Sequence, residues 1–202
     1  MSLTIKPLTP ALTADYFDFF NNRAFTDNPP WGGCYCIGWQ MTKEAEQIEL
    51  HDRAAAFGGG EESFMRALQE IVVRQIDSGA LRGYLAYSDG VSIGWCNAND
   101  RASFPAVSAN GAQLHAPKDA RIKAVVCFEI APEHRGKGVA TALLRRVVED
   151  ARDEGCAAVE GYPHAHGEKY EWDYQGPIRL YENAGFTKMT EPDGRIVMRK
   201  IL

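Results

Sequence analysis

The sequence predicts an α/β (α+β) domain: a mixed sheet in which one helical crossover joins two parallel strands and the other strands pair as hairpins. Three observations carry this. Residues 121–130, RIKAVVCFEI, and 156–162, CAAVEGY, are dense strand-forming runs on either side of an amphipathic stretch. Strands joined through a helix lie parallel and adjacent. Asp89-Gly90 and Asp193-Gly194 each separate two strand-like runs, the short-range signal of a hairpin.

The elements follow in order. LTIKPL at 3–8 reads as a strand. Residues 9–25 read as a helix, with Thr9 or Thr13 as cap and aromatics at Tyr16, Phe17, Phe19 and Phe20. Paired prolines and glycines in TDNPPWGGCYC break it. Residues 42–57 are polar, alanine-rich and helical in character, and Gly58–Gly60 interrupt them. Phe64, Leu68, Ile71, Val72 and Ile76 then fall at helical spacing, with acids at the start and Gly79 past the end. LRGYLAYS and VSIGWCNA flank the first Asp-Gly. Residues 101–120 show no period and read as a loop. In the crossover helix, 139–154, Leu143, Leu144, Val147, Val148 and Ala151 share one face and Gly155 ends it. A polar, aromatic loop at 163–175 precedes a short helix, GPIRLYENAG, and the second hairpin.

Composition narrows the function classes. The 202 residues suit one domain over 1–202. The formal net charge of −5 does not favour a nucleic-acid partner. No run reaches the roughly 18 apolar residues of a membrane span. The N-terminus lacks a secretory pattern, and the five cysteines are an odd count, so a cytoplasmic protein with reduced thiols is expected.

The chemistry centres on APEHRGKGVATALL, 131–144, a glycine turn feeding a helix. It is not a Walker loop, since Lys137 precedes Gly138 and the spacing is wrong. A dinucleotide fingerprint fits poorly. Thr141 stands where the third glycine belongs, and APEHR separates strand from turn. Arg135-Gly136-Lys137-Gly138-Val139-Ala140 does match Arg/Gln-x-x-Gly-x-Gly/Ala. Small residues there let backbone N–H groups approach a pyrophosphate, and the helix starting near Val139 adds its positive end.

That turn, together with LYENAGF at 180–186, resembles the two signatures of the GNAT superfamily of N-acetyltransferases. WGGCYCIGW at 31–39 further resembles a subgroup with a Trp-x-x-Cys-aromatic-Cys stretch. The resemblance implies a GNAT fold, with a mostly antiparallel sheet whose two central parallel strands splay apart. It makes 26–60 a variable acceptor-side segment, and 101–120 and 163–175 loops. It implies acetyl-CoA as co-substrate, bound by Phe128, Ile130, Arg135, Gly136, Lys137, Gly138, Val139, Ala140 and Thr141. The Phe128 and Ile130 main chains would face pantetheine, and Ile130 N–H would polarise the thioester. By motif position Tyr181 would protonate the leaving thiolate. Ala124 stands where relatives carry an acid, so Glu160, then Glu129, are candidates for the base. Tyr174 stands where relatives often have Asn.

Trp31, Tyr35 and Trp39 are expected to wall the acceptor pocket. Acids in and beside the 163–175 loop (Glu160, Glu168, Glu171, Asp173) suit a cationic amine. Cys34 and Cys36 lack the second pair of a zinc site, and no metal is expected. The acceptor is then a small-molecule amine or a peptide, with no nucleic-acid or membrane partner, and a homodimer is left open. Two alternatives stand beside this: a non-catalytic acyl-CoA sensor of the same fold, and an NAD(P)-dependent oxidoreductase.

Overall fold

The protein is described by a computed structural model at residues 2–108, 120–164, 174–190 and 196–202. The elements run β1 (Leu3–Pro7), α1 (Thr13–Asn22), two 3-10 turns (Pro29–Trp31, Gly38–Gln40), α2 (Lys43–Glu46), a π-helical stretch (Gln47–Asp52), α3 (Arg53–Ala56) and α4 (Gly60–Ser78). Then come β2 (Gly83–Ser88), β3 (Val91–Asp100), α5 (Pro105–Ser108), β4 (Ile122–Ile130), α6 (Val139–Asp153), β5 (Ala158–Gly161), α7 (Ile178–Asn183), β6 (Thr187–Thr190) and β7 (Val197–Ile201). The stretch expected to be a plain loop, 101–120, carries a 3-10 turn at Arg101–Ser103 and α5. Glu168, Glu171, Asp173 and the Asp193-Gly194 turn lie outside the described residues.

The seven strands form one sheet in the order β1-β2-β3-β4-β5-β7-β6. The expected parallel pair is β4 with β5, and the other pairs are antiparallel. The last strand inserts between β5 and β6, closing β5's outer edge. Among the described residues, no helix is long and apolar enough to cross a membrane.

Two apolar layers sandwich the sheet. On one face α1 and α4 bring Tyr16, Phe19, Phe20 and Ile71 against Trp95 and Val126. On the other, α6 buries Val139, Leu143, Leu144 and Val147 against Val125, Phe128 and Ile130. Its outer face carries the i,i+4 pairs Arg145–Glu149 and Arg146–Asp150.

One irregularity positions the site. Asn97 pairs with Cys127 and Ala98 with Val125, so Val126 is an extra residue on β4. This β-bulge sends Val126 and Cys127 to the same apolar layer. Pairing with β5 stops at Val125↔Gly161, while β4 runs on to Ile130. The second half of β4 therefore leaves β5, which is the expected splay.

Candidate active site

A cleft of about 510 Å³ opens where β4 and β5 part. Its floor is Phe128, Glu129 and Ile130, and its far wall is Gly176, Pro177 and Leu180 ahead of and within α7. At one end lies the glycine turn. Gly136 and Gly138 have φ of 73° and 81°, and a β-carbon at either would meet only open space. Their absent side chains therefore serve backbone conformation and access, not packing. Gly138 caps α6, whose first N–H groups, from Val139, Ala140 and Thr141, have no partner within the helix. All three residues line the cleft, so the helix presents an anion cradle to it.

The backbone of β4 is disposed as a splay requires, with one difference. Phe128 N–H turns away from β3 and donates to Tyr174 O at 2.5 Å. Period-two alternation puts Ile130 N–H on the same side. The expectation of an open Phe128 N–H is thus corrected: residue 174 supplies a carbonyl in place of a missing strand.

Arg135 also differs from expectation. Its guanidinium does not extend over the cradle. Nε donates to Ile130 O at 2.8 Å, Nη1 to Asp27 at 2.5 Å, and Nη2 to Glu129 Oε1 at 3.2 Å. Two carboxylates and a carbonyl draw it back toward the sheet. Lys137 is exposed and is not part of the cleft lining. Residues not foreseen as lining the cleft are His134, Arg179 and Asn183. Of these, Arg179 directly precedes the LYENAGF motif on α7 and Asn183 lies within it, so the motif could have suggested them.

Glu129 occupies the junction of two cavities. It lines the cleft and also a second cavity of about 380 Å³ on the other side of β4. The residue is 1% exposed. Oε1 holds Arg135, but the buried Oε2 has no hydrogen-bond partner. Burial pushes its carboxyl up to about 8, against the opposing pull of Arg135. A carboxylate so placed can take a proton near neutral pH.

Glu160 has a different setting. It is fully buried, and its carboxylate accepts from Arg199, Arg101 and the Tyr162 hydroxyl. Every lone-pair direction toward these groups is in use, and Glu160 lines neither cavity. Of the two candidate acids, Glu129 therefore lines the cleft and Glu160 does not.

The second cavity contains two of the three expected aromatics. Trp31 and Trp39 line it with Phe25 and Tyr174. Tyr35 does not. It is fully buried against Phe17 and Phe20, and its hydroxyl donates to Asn21. Tyr35 and Cys36 have positive φ, 42° and 51°. This turn is rare for side-chain-bearing residues and is held from outside. Tyr16 donates to Tyr35 O, and Asn97 Nδ2 to Cys36 O at 2.8 Å. Tyr35 is thereby turned into the core, and Cys36, also buried, lies on Cys127, Sγ to Sγ 2.7 Å. The contact with Cys127, over the opposing one with Cys34, holds the Cys36 thiol well above its ordinary value.

Tyr181 is fully buried between Phe186 and Phe128. Its ring leans on Gly161, where a β-carbon would come within 2.0 Å of Cε1, so only glycine fits. Gly161 is also the last β5 residue paired with β4, which places Tyr181 at the apex of the splay. The hydroxyl donates to Gln175 O at 2.7 Å. It lines neither cavity; Tyr174 lines both.

An anion cradle at a helix N-terminus, a splayed strand and a buried carboxylate that lines two cavities together make a site suited to group transfer between two ligands. The sequence agrees with that class. The family model described as Acetyltransferase (GNAT) family matches residues 39–186. The chain belongs to the GNAT acetyltransferase family and is an acetyl-CoA-dependent acetyltransferase. No curated relative matches it.

Solved structures share the fold at low identity. PaiA N-acetyltransferase from Thermoplasma acidophilum, in complex with coenzyme A, is 14% identical, with all of both chains covered and a TM-score of 0.52. The polyamine N-acetyltransferase of Drosophila melanogaster is 10% identical, again over all of both chains, with a TM-score of 0.55. The yncA protein of Salmonella typhimurium, solved with acetyl-CoA, is 16% identical over all of this chain and 95% of its own, with a TM-score of 0.50.

Proposed function

We propose that the protein transfers the acetyl group of acetyl-CoA to a primary amine by direct attack, with Glu129 as general base. One observation carries this reading: Glu129 belongs to both cavities and offers a buried oxygen with no partner. Two of the fold neighbours were solved with coenzyme A or acetyl-CoA, in keeping with the phosphate cradle at α6.

The pyrophosphate lies on the N–H groups of Val139, Ala140 and Thr141, and pantetheine follows the open side of β4 toward Ile130. Ile130 N–H faces the thioester carbonyl and stabilises the oxyanion. An amine enters from the second cavity as an ammonium, since its ordinary pKa lies well above neutrality. Glu129 Oε2 takes one proton. The freed lone pair attacks the carbonyl carbon, a C–N bond forms, and the C–S bond breaks. The Tyr181 hydroxyl lets go of Gln175 O and protonates the leaving thiolate; the surplus proton on the new amide nitrogen then restores Tyr181, and the proton gained by Glu129 returns to solvent. All five cysteines are free thiols, which supports a reducing compartment such as the cytoplasm.

The test is mass-spectrometric detection of acetylated amine with wild type and Glu129→Gln. Acetyl-CoA binding without any acetylated product from a broad amine panel would favour the sensor reading. Stabilisation by NAD(P) alone would overturn the cofactor.

A further inference from the structure

The second cavity holds a pattern that the transfer step alone does not explain. Two lining side chains carry a buried oxygen without a hydrogen-bond partner: Oε2 of Glu129 and Oε1 of Gln175. Glu129 is 1% and Gln175 5% exposed. Gln175 Oε1 is an acceptor, and so is Glu129 Oε2 whenever the carboxyl is ionised, so the missing groups are donors. Around them the described wall is largely aromatic and apolar, with Phe25, Trp31, Trp39, Val126 and the thiols of Cys36 and Cys127, and His164 and Tyr174 add two polar groups. Among the described lining residues, Glu129 is the single carboxylate. The volume of about 380 Å³ is at the small end for ligand sites.

Resting on the amine-acetylation reading, we propose that the acceptor is a small primary monoamine with an aromatic or similarly apolar body. Its ammonium donates to Glu129 Oε2 and Gln175 Oε1, and its body packs on Phe25, Trp31 and Trp39. An alkylammonium has three N–H donors, enough for both orphans. The shared position of Glu129 puts that nitrogen at the mouth of the CoA cleft. The rings and sulfurs beyond it favour an apolar body.

The same wall disfavours a polyamine. Its distal ammonium would lose its water against rings and thiols, with no described carboxylate opposite it.

The experiment compares 2-phenylethylamine, spermidine and a tripeptide with a free N-terminus as acceptors for acetyl-CoA. Product is read by mass spectrometry, and calorimetry follows binding of each amine to the CoA complex. The expected result is kcat/KM for 2-phenylethylamine at least about 10-fold above the others. Gln175→Leu should raise its KM about 10-fold while leaving the KM of acetyl-CoA unchanged; Gln175→Glu should preserve it. Trp39→Ala should erase the preference. Equal or better acetylation of spermidine or tripeptide overturns the acceptor class and leaves acetyl transfer standing. Tight binding of 2-phenylethylamine without acetylation upholds the ligand class and overturns the transfer reading. Failure of 2-phenylethylamine to bind overturns the proposal.

Discussion

Arg135 and Glu129 form an asymmetric pair: one carboxylate oxygen accepts from the guanidinium at 3.2 Å and the other, equally buried, accepts from nothing. The same guanidinium is shared with Asp27 and Ile130 O. Glu129 is therefore oriented without being fully neutralised, and burial is left to raise its pKa to about 8. A structural ion pair would have both oxygens engaged, as Glu160 does.

Acetylation should rise with pH through a limb near 8, because Glu129 must be deprotonated to act and its carboxyl titrates about there. Glu129→Gln should lower kcat/KM by about 10²–10⁴-fold and remove that limb. Stability gives a second readout. The folded carboxyl binds its proton more tightly than the unfolded one, so the folded state loses stability as pH rises from the ordinary carboxylate range to about 8. Thermal melts of wild type across that window should show the decline, and Glu129→Gln should flatten it. A pH-independent rate would remove Glu129 from the base role.

Glu160→Gln should behave in the opposite way. Glu160 neutralises Arg199, which is 5% exposed, and Arg101. Removing one member of a buried ion pair costs about 3–5 kcal/mol. Denaturant unfolding should show that loss, and any drop in turnover should track the folded fraction. A stable variant with specific loss of kcat would return Glu160 to the chemistry.

Tyr181→Phe should retain acetyl-CoA affinity and lose turnover by about 10²-fold, because the ring still fills the space against Gly161 while the proton donor is gone. Tyr174→Phe is the comparison, since its ring borders both cavities. A larger loss of kcat in the Tyr174 variant, with Tyr181→Phe unaffected, would transfer the acid role to Tyr174.

Gly138→Asp should weaken acetyl-CoA binding at least about 10-fold in calorimetry. The residue has φ of 81°, which costs a side-chain-bearing residue about 1–2 kcal/mol, and the carboxylate would face the pyrophosphate. Gly138→Ala separates the two effects, since its methyl meets nothing within 4 Å. Unchanged affinity in the Asp variant would refute the cradle.

The glycine turn and the helix behind it were legible because their determinants are local. Gly136, Gly138 and the α6 apolar stripe are neighbours in sequence, and a helix N-terminus after a positive-φ turn is a short-range feature. The parallel β4–β5 pair followed from a single helical crossover. The rest of the candidate site depends on distant partners. Arg135 is drawn from the cradle by Asp27, over a hundred residues earlier in the chain. Glu160 is committed by Arg199 on a strand that enters the sheet out of order. Tyr35 sits in a glycine-rich break that reads as part of an acceptor-pocket wall, yet Tyr16 and Asn97 hold a backbone shape that turns it into the core. No periodicity records such contacts. The β4 bulge is likewise silent, since Val126 and Cys127 are both ordinary strand residues.

The hydrogen bond from Phe128 N–H to Tyr174 O has a kinetic consequence. Any cofactor amide that uses Phe128 N–H must first displace Tyr174 O. Tyr174 also packs on Phe25 and Trp31, at ring-centroid distances of 5.7 and 6.0 Å. Displacing it reshapes the wall that the second ligand meets. The two ligands are then thermodynamically coupled, each altering the affinity of the other by the same factor. Cofactor entry would then include breaking that hydrogen bond, and an acceptor would meet a wall altered by it.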